Sequence, residues 1–211
     1  MIARTRTLTW LFATAALLFA FGAQAQAGQA PDALVKTVST DVLESVKADK
    51  SIQSGDLKKV IALVDQKVMP YVDFQRMTSS AVGRYWRQAT PEQQKRLQDE
   101  FKLLLVRTYS GALSQVNQEQ TIELKPMRSQ PADTEVVVRT EIRGKGDPIQ
   151  LDYRLEKASD TWKIYDVNVM GVWLVENYRN SFAQEIGANG IDGLIAKLAE
   201  RNKSAAAATK S

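Results

Sequence analysis

Asp152 and Asp166 raise the first chemical question in this chain, because both alternate with large apolar residues on strand segments that follow one another closely. Paired carboxylates perform acid–base and glycoside chemistry when burial raises the pKa of one of them. The same alternation fits two solvated positions on the outer face of a half-buried sheet, and that is the expectation. Composition excludes most other chemistry. The 211 residues include no histidine and no cysteine, so there is no Ser-His-Asp triad, thiolate nucleophile, Cys/His metal site, imidazole shuttle or disulfide. Gly144-Lys-Gly146 falls in a turn between strands, outside the strand–loop–helix setting of a phosphate loop. No carboxylates recur at calcium-loop spacing, so neither metal nor cofactor is expected.

Large apolar and amphipathic side chains are abundant on surfaces that should face each other. Tyr71, Phe74, Met77, Tyr85, Trp86, Phe101, Leu105 and Tyr109 sit at helical spacing, and Val138, Leu151, Tyr153, Tyr165, Val167 and Val169 sit in alternating segments. Ordinary core packing is one reading. A curved sheet that closes incompletely on its helices and leaves a cavity for an apolar ligand is the other.

The elements that would position these residues are legible from periodicity. Leu34, Val35, Val38, Val42, Leu43 and Val46 recur at three- and four-residue intervals in a first helix. Asp56 caps a second, which Pro70 ends. A third runs from Phe74 to Trp86 with Gly83 inside it, read as close helix packing or close approach of a ligand. Thr90-Pro91-Glu92-Gln93 opens a fourth with a capping box. From Gln120 the period changes to two, giving four strands over Thr121–Met127, Thr134–Arg143, Ile149–Glu156 and Trp162–Leu174. Two closing helices, Val175–Ile186 and Ile191–Asn202, are joined by Gly187-Ala-Asn-Gly190. The expected fold is α+β, a curved four-stranded antiparallel sheet packed on amphipathic helices.

Residues 1–27 read as a cleaved secretory signal peptide. Arg4 and Arg6 precede the apolar run Leu8–Phe21, and Ala25-Gln-Ala27 offers the cleavage site. Residues 28–203 then form one domain and 204–211 a disordered tail, in the periplasm or outside the cell. The chain has 28 Lys+Arg and 24 Asp+Glu, and the leader removes two of the four net positive charges. The remaining charges are mixed in sign along the sequence, so no nucleic-acid partner is expected.

Two blocks carry a family resemblance. The first is Pro70-Tyr-Val-Asp-Phe74, Gly83-Arg-Tyr-Trp-Arg87, Ala89-Thr-Pro-Glu-Gln93, Phe101-Lys-Leu-Leu-Leu105 and Thr108-Tyr109. The second is Trp162-Lys-Ile-Tyr-Asp-Val-Asn-Val169, Gly171-Val172, Leu174-Val175, Asn177-Tyr-Arg179, Phe182 and Gly190-Ile-Asp-Gly-Leu-Ile195. In order and spacing they resemble the MlaC, or toluene-tolerance (Ttg2-type), family of periplasmic phospholipid-binding proteins of the Mla lipid-asymmetry system. Trp173 departs from the pattern, which usually has a small residue there.

The resemblance implies a cone similar to nuclear transport factor 2 with added helices, enclosing an apolar cavity, and a monomeric, non-enzymatic carrier. Its ligand would be a diacyl phospholipid, passed between an outer-membrane lipoprotein–porin complex and an inner-membrane ABC transporter complex with its substrate-binding ring. Carried onto this sequence, the lipid-binding residues are Phe74, Met77, Val82, Tyr85, Trp86, Phe101, Leu105, Tyr109, Val138, Leu151, Tyr153, Tyr165, Val167, Val169 and Phe182, with Tyr178 and Arg179 at the mouth. The residues themselves leave open a cone-fold enzyme using a buried carboxylate, or a ligand-free envelope adaptor.

Overall fold

The structure is a computed structural model that describes residues 28–208 apart from 129 and 131. The expected leader, 1–27, and the end of the expected tail, 209–211, lie outside the described residues. Helix α1 (Pro31–Ala48) begins at a proline and buries Leu34, Val35, Val38, Leu43 and Val46, the expected stripe. The short α2 (Lys50–Gln53) is capped by Asp49, and α3 (Leu57–Lys67) by Asp56, whose carboxylate accepts from the Lys58 and Lys59 amides. Pro70 then confines the chain to one 3-10 turn, Met69–Tyr71.

Helix α4 (Phe74–Val82) is shorter than its apolar spacing suggests. Gly83 is not inside a helix: it ends α4 at φ 66°, and a 3-10 segment, Gly83–Gln88, follows. A Cβ there would meet nothing within 4 Å, so backbone conformation requires the glycine, rather than close packing. Helix α5 (Pro91–Ser110) starts with the complete Thr90/Gln93 capping box. Helix α6 (Leu174–Ala208) is interrupted at Gly190, where φ is 71°, between the two expected closing segments. It continues to Ala208, into the segment expected as a tail.

The sheet is an antiparallel meander of five strands, not four: β1 (Thr121–Leu124), β2 (Glu135–Arg143), β3 (Ile149–Ala158), β4 (Thr161–Val169) and β5 (Val172–Trp173), in chain order. The last expected strand breaks because Met170 and Gly171 both adopt positive φ, 51° and 91°. Positive φ at both central residues is the type I′ geometry that suits a two-residue hairpin, and it returns Val172 opposite Val169. A second irregularity changes which side chains share a face. Arg154 pairs with Asp166 but Leu155 pairs with Ile164, so Tyr165 is the extra residue of a β-bulge.

Three hydrophobic clusters result, the smallest joining Val46 of α1 to Ile52 of α2 and Val60 and Leu63 of α3, and the other two forming larger layers. Leu34, Val35 and Val38 of α1 pack on Val136, Val138, Leu155 and Ile164 of the sheet. Residues of α4, α5 and α6, among them Phe74, Phe101, Phe182 and Ile195, form the other layer. Val72 and Val167 pack against both.

Candidate functional site

On the strand ladder Asp152 lies opposite Asn168 and Asp166 opposite Arg154, so the two are diagonal and each faces an arginine. Asp152 is 3.9 Å from the Arg139 guanidinium, and burial outweighs that charge in pushing its carboxyl above the usual range.

The expectation that Asp166 is solvated is wrong, since its side chain is only 1% exposed. The helical layer covers β4 here, because β5 turns the chain back and α6 begins directly over the strand. Asp166 Oδ1 accepts from the Val167 amide at 2.9 Å and from the Val175 amide in the first turn of α6 at 3.1 Å. Oδ2 accepts from Arg154 Nη1 at 3.0 Å, and the same guanidinium nitrogen reaches Glu176 Oε1 at 3.1 Å. Trp173 stacks on that guanidinium, 3.9 Å from ring centroid to Cζ. The residue that departs from the family pattern therefore covers an ion pair. Burial pushes the Asp166 carboxyl up despite two backbone donors and an arginine.

Space is found elsewhere, in two apolar recesses. The first, about 250 Å³, lies between α1 and the sheet: Val38, Val42 and Val46 face Ile122, Ile142, Leu151 and Tyr153. Its polar feature is the Ser39 Oγ to Tyr153 Oη hydrogen bond, 3.1 Å long. The second, about 270 Å³, lies among α3, α4, α5 and β4, with Val64, Met77, Leu105, Tyr109 and Val169 on its wall. Val68, Val72 and Val167 line both. Val72 is held in that shared wall by a bridge to Ile164, by the Asp73 amide donating to the Ile164 carbonyl at 2.8 Å, and by Lys163 Nζ donating to the Pro70 carbonyl at 2.7 Å. Proline, the 3-10 turn and the bulged strand thus cooperate to place one valine between two spaces. Burial raises the pKa of both wall tyrosines, Tyr109 and Tyr153.

Of the residues singled out in the sequence, Phe74, Met77, Leu105, Tyr109, Leu151, Tyr153, Val167 and Val169 line one or both recesses. Val82, Phe101, Phe182 and Val138 are buried in closed packing instead. Tyr85 and Trp86 flank the helical layer, half-buried. Tyr165, shifted by the bulge, turns from the apolar interior and lies under the Arg76 guanidinium at 3.7 Å from its ring centroid. Neither residue expected at the mouth stands at a recess. Tyr178 is buried against Phe101, ring centroids 5.0 Å apart, and Arg179 Nε donates to the Ser80 carbonyl at 3.1 Å. The aromatic ring cluster draws Tyr178 inward, which helical periodicity alone did not indicate.

Sequence reasoning missed the valine walls Val38, Val42, Val46, Val64, Val68 and Val72. All but Val72 lie on helical apolar stripes, and a residue facing a recess has the same spacing as one facing a core. Among the described residues, no helix is long and apolar enough to cross a membrane.

These features define a class: an α+β protein with apolar recesses between its helices and an antiparallel meander, lined mostly with apolar side chains. The family model described as MlaC protein matches residues 36–200, and the chain belongs to that family. It is 29% identical to the toluene tolerance protein ttg2D of Pseudomonas putida over 90% of this chain and 91% of that one. It is 24% identical to the intermembrane phospholipid transport system binding protein MlaC of Haemophilus influenzae over 80% of each. A solved phospholipid-binding protein from Ralstonia solanacearum, in complex with a phospholipid, is similar at 50% identity and a TM-score of 0.79, covering 83% of this chain and 98% of that one.

Proposed function

We propose that this protein is a phospholipid carrier of the bacterial envelope, exported by a leader over residues 1–27 and folded as a single monomeric lipid-binding domain over 28–203. One observation carries the reading. Two apolar recesses meet at a common wall, Val68, Val72 and Val167, in a chain half identical to a protein solved with a phospholipid bound. A diacyl lipid has two hydrocarbon chains to bury, and the carrier reading assigns one to each recess.

The physics of release supports a carrier. Two acyl chains bring about 30 methylenes, and at ~0.8 kcal/mol each their transfer from water is worth roughly 25 kcal/mol. A membrane already keeps those chains dry, so the difference between membrane and protein is small and exchange can run either way. The chain would pass lipid between an outer-membrane lipoprotein–porin complex and the ring of an inner-membrane ABC transporter, serving outer-membrane asymmetry. Its cone would be similar to that of nuclear transport factor 2, opened where the recesses form. The carboxylate-enzyme alternative is the weaker reading: burial raises both carboxyls, but Asp152 and Asp166 each face an arginine. A ligand-free adaptor would need a dry, fully packed interior, against which the recesses count.

Native mass spectrometry of protein purified gently from the periplasm tests the proposal. Added mass matching diacyl phospholipid is expected. A clean apo mass would overturn it.

A further inference from the structure

Among all the residues that line the two recesses, Lys102 is the one that carries a charge. It sits on α5 between Leu97 and Leu105, on a helix that otherwise presents Phe101, Leu105 and Tyr109 to the interior. Its alkyl stem forms part of the wall of the second recess, and its ammonium reaches Asp65 Oδ1 on α3 at 2.8 Å. The Lys102 side chain is 29% exposed and that of Asp65 45%, so the ammonium stands at the boundary between hydrocarbon and water. The other ion pairs of α3 point away from this gap: Lys59 to Asp49 at the cap of α2, and Lys67 to Asp41 on α1.

A diacyl phospholipid with its chains buried must leave its phosphate at such a boundary, because an unpaired anion in the interior is far too costly. We propose that Lys102 holds the lipid phosphate and that Asp65 is the counter-ion it gives up on loading. The proposal rests on the carrier reading and names the polar contact of that site. One anion replaces another on the same ammonium, so loading leaves no buried charge unpaired. Asp65 is exposed enough to be rehydrated when released. Until then the pair bridges α3 to α5 across the rim of the recess, and lipid entry exchanges a protein–protein contact for a protein–lipid one. A phosphate is common to all glycerophospholipids, so this contact selects phospholipid from other diacyl lipids without selecting a headgroup.

The test is competitive loading of the full exported chain from vesicles that contain equal amounts of dioleoylphosphatidylglycerol and dioleoylglycerol, which have the same acyl chains and differ in the phosphate. Native mass spectrometry reads the ratio of the two adducts. Lys102→Met, which keeps the stem, should lower the phospholipid-to-diacylglycerol ratio about five-fold, as expected for a partly exposed charged contact. Lys102→Arg should retain the ratio, and Asp65→Asn, which removes the competing anion, should raise it. An unchanged ratio in Lys102→Met, or a fall in Asp65→Asn, overturns the proposal. If Lys102→Met fails to fold, the Asp65→Asn arm decides alone. Millimolar inorganic phosphate should leave the ratio unchanged; loss of the preference would reveal an anion site independent of lipid and overturn the assignment. Wild-type protein that takes up neither lipid would instead refute the carrier reading itself.

Discussion

The aromatic layer under α4, α5 and α6 and the valine walls around the two recesses are equally apolar, yet one is closed and the other open. In the first, Phe101 meets Tyr178 and Phe182 edge-on, with ring centroids 5.0 and 5.2 Å apart and interplanar angles of 74° and 75°, and Phe74 tilts against it at 5.9 Å. Rings that interlock in this way fill volume and fix one another's orientation. The recess walls carry many valines, among them Val38, Val42, Val46, Val64, Val68, Val72 and Val167, short β-branched side chains with few rotamers that do not reach across a gap, beside longer ones such as Leu151, Met77 and Tyr109. Apolar composition therefore does not decide whether a region closes; reach and shape do. The closed layer anchors the helices, and the open one is available to a ligand.

The largest effect should come from breaking the closed side. Phe101 is fully buried among three aromatic rings, so Phe101→Ala should cost about 3–5 kcal/mol, read as a lowered denaturation midpoint at unchanged slope. A cost below about 1 kcal/mol would mean that the layer is not the anchor. Enlarging side chains sharpens the contrast. Ala81→Leu, in the closed layer with no exposed surface, should overpack and cost about 1–3 kcal/mol. Val167→Phe, at the wall both recesses share, should cost less than about 1 kcal/mol because space is present, while reducing co-purified lipid in native mass spectra. Equal costs at the two positions would erase the distinction.

Most of the fold was legible in the sequence wherever a local signal had a local cause. The Thr90 capping box, the Asp56 cap, the helical stripes and the alternation of β2 and β3 each report on a few neighbouring residues. The features that shape the site depend on contacts between distant segments. Tyr165 alternates correctly with Val167 and Val169, and only the pairing of β4 with β3 shows that a bulge intervenes. Asp166 has the spacing of a surface carboxylate and becomes buried because α6 begins over it. The hairpin at Met170 was hidden because a β-branched, apolar run reads as continuous strand, whereas Met170 takes a positive φ.

Asp166, where α6 starts over β4, gives a pH test. Burial raises its folded pKa above the unfolded value, so on acidification the fold takes up this proton before the unfolded chain does. Its contribution therefore moves in favour of folding as the pH falls through the folded pKa toward the usual carboxylate range, and is least favourable above it. Asp166→Asn keeps an acceptor for the Val167 and Val175 amides and should abolish that acid-side gain, changing stability at neutral pH by about 1 kcal/mol. Denaturant midpoints measured at several pH values check the sign; a wild-type contribution that weakens on acidification would reverse the assignment.

A small effect with an informative sign should lie inside the first recess, where Ser39 and Tyr153 share the hydrogen bond that interrupts an otherwise aliphatic wall. Tyr153→Phe leaves the Ser39 hydroxyl without that partner and should cost about 0.5–1.5 kcal/mol, because an orphaned polar group loses its solvation without recompense. Adding Ser39→Ala removes the orphan, so the double variant should be closer to wild type than the single one. That sign matters for the comparison. In a closed layer the second truncation would open a further cavity and add its own cost, whereas beside existing space it removes only an unpaired hydroxyl. A double-mutant cycle in which the two costs add would place this wall with the closed layer; a double variant that recovers stability places it with the open one.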